Sequence, residues 1–431
     1  MDNHKSFVID HVRIFTGDKF IESGFLRVNS GRITEVGHGP YREPGPDVRI
    51  ISRPGDTLIP GLIDAHIHGL GGNVHSLEQS LRFGVTTVCD MHNDPSDNVK
   101  LRNLATDPSQ KSMYADFKCA GLGAIIDSGW PIPVMKKEFE HIPNGHAICN
   151  NIISRWPKLK QPADAEPFVQ QQKEKNNASY IKMFHEVGDS IGMDMPNPSP
   201  DLQRAVVQAA HKHGLIAVGH AFSYAGAMAL IGSGADGLTH MFLDQPPSDE
   251  FLRAMLSQNM HCSPTLALCA SQTGEDQDFF ARFYDDPFAQ EMLLNRTPGR
   301  PVGFAASETP RSSVNHAYES TKALYKAGVP VVVGTDAAGR EIGTPYGLGV
   351  HMEMYLLSHK IGMAPADVLK AATTVTADRF GFDDIGRLEP GRKADMVLIR
   401  GDVEKTLQDP GTHCLPIATV WREGVLACSF A

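Results

Sequence analysis

The chain has 431 residues, 41% of them hydrophobic, and a formal net charge of -10. That length can bury one large core, or a barrel of about 250 residues beside an accessory domain. An acidic balance without a basic run argues against a nucleic-acid surface, and no apolar stretch approaches the roughly 18 residues that would span a membrane. The seven cysteines, an odd number with no CxxC pair, suit free buried thiols better than a disulfide framework or a thiolate zinc site.

Residues 1–10 alternate like a strand and lack the continuous apolar segment of a secretion signal, so the expected location is the cytoplasm. From about Phe7 to Ile51, short alternating runs broken by Gly and Asn predict a small β domain. The same texture returns at 394–399 and 417–426. The two ends are therefore expected to pair in a composite β-sandwich of residues 1–56 and 386–431.

Between them, over residues 57–385, apolar strand candidates alternate with helical stretches, the pattern of a parallel sheet with right-handed crossovers. The candidates are 58–66, 86–92, 117–126, 180–187, 215–221, 237–242, 261–268 and 329–336. Eight repeats without a nucleotide-binding glycine fingerprint predict an α/β fold, a (β/α)8 TIM barrel, over an open doubly wound sheet. Residues 272–311 form an insertion longer than a connector needs, either a cover over a site or a plain surface loop.

At the end of the first candidate strand stand His66 and His68. The side-chain period of a strand is two, so both leave the same face and can close on one metal ion. His211 and His213 have the same spacing in a different setting. Ser199 as N-cap, Pro200 at the first helical position and Gly214 just past the end predict a helix there. Residues two apart on a helix diverge by roughly 200°, so these two cannot chelate together. Other chemically loaded residues fall at strand ends, where barrel enzymes keep their active sites: Lys182 on the fourth candidate, His220 on the fifth, His240 on the sixth and Asp336 on the eighth.

With LIPGLIDAHIHG at 58–69, GVTTVCDM at 84–91, YIKMF at 180–184, GTDAAG at 334–339, the pair His220 and His240 twenty residues apart, and GRLEPGRKAD at 386–395, the sequence resembles the amidohydrolase superfamily. Within it, the resemblance is to the imidazolonepropionase-like branch, which includes fungal ochratoxin-hydrolysing amidases and prolidase-like dipeptidases. It implies that Lys182 is carboxylated by CO2 and bridges two divalent ions, most often zinc, although manganese, iron and cobalt suit the same ligands. His66, His68 and Asp336 would hold one ion, and His220 and His240 the other. A bridging hydroxide would attack the carbonyl of an amide, an N-acyl amino acid or dipeptide, or a lactone, with Asp336 as general base and acid. The partner would be a small-molecule substrate, and relatives of this kind lead us to expect a homo-oligomer.

The chain departs from the branch's commoner pattern in places that bear on substrate. Phe222 stands where many relatives carry a second histidine after His220, and Thr239 replaces a glutamate before His240. His92 follows Asp90 and Met91 where relatives mostly have glycine, and His185 lies three residues beyond Lys182. His92, His185 and Phe222 are thus candidates for the substrate pocket, with a supporting or surface role for the two histidines equally open. Two other readings compete: a mononuclear deaminase of the same superfamily, which has no need of Lys182, and a barrel that has lost catalysis and serves as an assembly or binding protein.

Overall fold

The computed structural model describes residues 6–42, 48–294, 312–338 and 344–430. Its strands, in chain order, begin with β1 (Ser6–Phe15), β2 (Phe20–Asn29), β3 (Arg32–His38), β4 (Arg49–Ser52), β5 (Thr57–Pro60), β6 (Leu62–Ile67), β7 (Val85–Asp90) and β8 (Asp116–Cys119). They continue with β9 (Ile181–Phe184), β10 (Ala217–His220), β11 (Gly237–Thr239), β12 (His261–Ser263), β13 (Met396–Ile399), β14 (Ile417–Arg422) and β15 (Val425–Ser429).

The two chain ends share one sheet, in the order β15-β14-β13-β5-β1-β2-β3 with β4 beside β1. β1 serves two neighbours. Phe7 to Asp10 pair with β4, Arg13 and Ile14 pair with β5, and the backbone changes partner around His11, whose φ of 53° lies in the left-handed region. Ile9, Ile14, Leu26, Leu58, Met396 and Leu398 make the core under this sheet. Hydrogen bonding joins all eight strands into one continuous sheet.

One apolar run is divided between two sheets. Residues 58–66 read as one strand, but Thr57–Pro60 pairs with β13 and β1, whereas Leu62–Ile67 pairs with β7. Gly61 separates them: a Cβ there would come within 2.1 Å of Thr86 Oγ1. An apolar run shows no seam where it leaves one sheet for another, because both environments bury it.

The middle of the chain is parallel. β6, β7 and β8 form one ladder and β9 to β12 another. Backbone hydrogen bonds join them: Ser179 N–H donates to Cys119 O and Ala124 N–H to Lys182 O, both at 2.8 Å. On the far side Cys262 N–H donates to Pro330 O (2.9 Å), Ala65 N–H to Val333 O (2.9 Å) and His68 N–H to Ala337 O (2.8 Å). The pairings therefore lead from β6 to β12, on to residues 330–337, and back to β6, with helices between, an α/β arrangement of the TIM-barrel type.

Two of the expected strands differ. Residues 261–268 leave the sheet at Ser263 and turn into the helix Leu266–Thr273, every residue of which is buried. Periodicity cannot tell a buried strand from a buried helix in so short a run. Residues 329–336 make only single pairings, at Val331 and at the following Ala337. The helix Pro200–Lys212 starts with the Ser199 hydroxyl accepting the Leu202 N–H, and Gly214 follows it at φ 69°. His211 and His213 reach different carboxylates, Asp236 and Glu166, each at 2.9 Å. Within the insertion, Gln277–Asp285 and Pro287–Met292 are helical, and residues 295–311 lie outside the described residues, as does Gly339 of the GTDAAG run. All seven cysteines are free. Among the described residues, no helix is long and apolar enough to cross a membrane.

Candidate metal centre

His66 ends the buried face of β6 and His68 follows it, while Asp336 arrives from the last barrel segment. Both imidazole Nε2 atoms converge on one carboxylate oxygen: His66 and His68 lie 3.0 and 2.9 Å from Asp336 Oδ1 and 3.4 Å from each other. Their close approach depends on Gly334, where a Cβ would stand 2.3 Å from Ser263 Oγ and 3.2 Å from His66 N. Asp336 itself holds φ 55° and His240 φ 74°, left-handed values that non-glycine residues keep only where the surroundings impose them. Burial alone would raise the Asp336 carboxyl, but His66 and His68 hold it well below the ordinary carboxylate range. Burial, aided by the Lys182 charge, pushes His66 down to about 3.

Lys182, on β9, is fully buried, and its Nζ donates to Thr239 Oγ1 at 2.7 Å. Thr239 in turn donates to Gly219 O. Among the described residues Lys182 makes no ion pair within 4.0 Å, and burial lowers it to about 7. The neutral amine is thus populated at ordinary pH. His240 Nε2 lies 3.8 Å from Asp336 Oδ2, and its Nδ1 meets Thr265 Oγ1 at 2.8 Å. His220, at the end of β10, points its Nε2 at Glu186 Oε2, 3.2 Å away. Burial lowers both histidines, keeping them neutral as ligands require.

Aromatic rings wall this group. Trp130 stacks on His220 (4.4 Å, 23°), Phe222 stacks on His240 (4.4 Å, 22°), and Trp156 meets His92 edge-on at 4.6 Å. His92 is buried beside the cluster: its carbonyl faces His68 Nδ1 at 3.3 Å, and its own Nδ1 accepts the Gly123 N–H at 2.8 Å. The Nδ1 of His185 pairs with Gln203 Oε1 of the helix Pro200–Lys212 at 3.1 Å. Sequence reasoning gave no role to Asp64, Glu186, Thr265, Glu353 or Trp130. The signal available for Asp64 was a carboxylate inside an otherwise apolar run, a costly placement unless it is paired.

The donor set fits divalent cations. Ligand atoms of His66, His68 and Asp336 all lie within 4.8 Å of one another, and among the described residues no other group of three does so. Asp336 Oδ1 and His220 Nε2 are buried with no aligned hydrogen-bond partner, as expected of atoms arranged for an ion rather than for each other.

A family model described as the amidohydrolase family matches residues 57–426. Imidazolonepropionase of Geobacillus kaustophilus (strain HTA426) is 22% identical over 413 residues, covering 88% of this chain and 84% of that protein. Among solved structures, ochratoxinase of A. niger superposes with a TM-score of 0.71 at 17% identity, covering all of this chain (100%) and 97% of the other. A Xaa-Pro dipeptidase with methionine bound in its active site gives 0.72 at 17% identity, covering 98% and 99%. At these identities the two structures show a shared fold.

Proposed function

The chain belongs to the amidohydrolase family, hydrolases acting on carbon–nitrogen bonds, and from that premise we propose a binuclear metal-dependent hydrolase of a small amide. The observation that carries this reading is the convergence of His66, His68 and Asp336 beside a buried Lys182 that has no ion-pair partner among the described residues. His66, His68 and Asp336 would hold one ion, His220 and His240 a second, and Lys182, as the carbamate formed from its neutral amine and CO2, would serve both. A buried ammonium between two cations is untenable, whereas a carbamate is an anion with an oxygen for each. Zinc is the first candidate, given imidazole and carboxylate ligands.

Bound divalent ions would polarise the scissile carbonyl and make water a stronger acid. Asp336, held ionised by its histidines, takes the proton of the attacking water and passes it to the leaving nitrogen. Trp130, Phe184 and Phe222 present apolar faces around His220, which favours substrates with an apolar acyl group. N-acyl amino acids, dipeptides with an apolar N-terminal residue, and aryl lactones share that feature. We place the two-ended sheet as an accessory domain on a (β/α)8 barrel.

The test is metal content per chain, by mass spectrometry, on protein purified without chelator from cells supplied with bicarbonate and zinc. Two ions per chain are expected. One ion would move the assignment to the mononuclear deaminase reading, which is favoured by there being one three-ligand group among the described residues. None after reconstitution would overturn both and leave a non-catalytic barrel.

A further inference from the structure

We propose that Glu186 is a ligand of the second ion, shared with His220, in addition to the six positions named above; this rests on the binuclear reading. Glu186 lies four residues past Lys182 and is 1% exposed. Each of its oxygens is fixed by a backbone donor: Gly188 N–H to Oε1 and Phe222 N–H to Oε2, both at 2.8 Å. The carboxylate is therefore rigid before any ion arrives. Among the described residues its only ion-pair contact is His220, whose Nε2 is 3.2 Å from Oε2.

That contact is close without being a hydrogen bond. His220 Nε2 has no aligned partner although it is buried. The same signature marks Asp336 Oδ1, which lacks an aligned partner while two imidazole nitrogens stand 3.0 and 2.9 Å away. Ligands held about 2.0–2.2 Å from a shared ion sit roughly 3.0–3.5 Å apart, with lone pairs aimed at the ion and not at one another. The Glu186–His220 contact, at 3.2 Å, has that spacing, and neither His220 Nε2 nor Asp336 Oδ1 has an aligned hydrogen-bond partner.

The experiment titrates chelator-treated, full-length protein with zinc and, separately, with cobalt in bicarbonate buffer. Wild type is compared with Glu186→Gln and Glu186→Asp. Metal per chain and the visible absorption of bound cobalt are read, with melting temperature as the folding control. The expected result is two ions in wild type, and an unchanged first ion with a second bound at least about 10-fold more weakly in Glu186→Gln. Glu186→Asp, which keeps the charge at a shorter reach, should fall between them and carries the test if the Gln variant fails to fold. Second-ion binding at wild-type strength in the variants would overturn the proposal while leaving the binuclear reading intact. A single ion in wild type would overturn both.

Discussion

Asp64 and Thr335, 271 residues apart in sequence, lock together the two segments that carry the first ligand group. Asp64 Oδ2 accepts the Thr335 hydroxyl at 2.7 Å, while Oδ1 accepts the backbone N–H of both Thr335 and His66 at 3.1 Å. The next residue after Thr335 is Asp336, so one buried carboxylate sets the distance between His66 and Asp336. Burial pushes Asp64 up to about 7, with these hydrogen bonds opposing.

Replacing Asp64 with Asn leaves an amide nitrogen where Thr335 needs an acceptor. The variant should fold but bind the first ion about 10–100-fold more weakly, the usual cost of losing a group that orients ligands. Zinc competition against a chromophoric chelator measures this, and wild-type affinity would refute the locking role.

Lys182→Ala should reduce the metal content from two ions to one and abolish turnover, since no other described side chain replaces the carbamate. Near-normal hydrolysis of an amide by this variant would sink the binuclear mechanism.

Asp336→Asn removes the proton acceptor while keeping the shape. Turnover at saturating metal should fall by roughly 10²–10⁴ with little change in melting temperature. A variant that hydrolyses substrate like wild type would rule out Asp336 as the proton carrier.

Glu353 offers a pH test away from the ligands. Its oxygens accept the Leu266 and Ala267 N–H groups at 2.9 and 3.0 Å, and burial raises its carboxyl from 4.5 to about 8. The folded protein keeps this proton up to about pH 8, while the unfolded chain releases it near 4.5. The stabilisation is therefore full below about pH 4.5 and is lost as pH rises through 8. Glu353→Gln cannot titrate and leaves one N–H unpaired, so it should be less stable at acid pH by about 1–3 kcal/mol. Thermal melts from pH 4.5 to 8.5 should show that gap narrowing; a constant gap would contradict the raised carboxyl.

Gly61→Ala probes the seam between the two sheets. A Cβ at this position meets Thr86 Oγ1 at 2.1 Å and Thr86 Cβ at 2.8 Å, so overpacking should cost about 1–3 kcal/mol. Adding Thr86→Ala should recover part of the loss in denaturant melts, and no recovery would place the strain elsewhere.

Local pattern alone made several features legible. The two-residue period of a strand puts His66 and His68 on one face, and the Ser199 cap with Gly214 makes the helix that separates His211 from His213. Spacing likewise set His220, His240 and Asp336 near the end of an apolar run each, and Lys182 within one. Which of these residues meet was decided only by the tertiary structure. Whether the run at 261–268 stays a strand, which side chain His185 Nδ1 meets, and whether Glu186 faces His220 all depend on register between neighbouring segments and on how the parallel ladders come together. Periodicity determines the face a side chain leaves from. The atom it meets lies on another part of the chain, as Thr335 does for Asp64, and no local pattern encodes that distance.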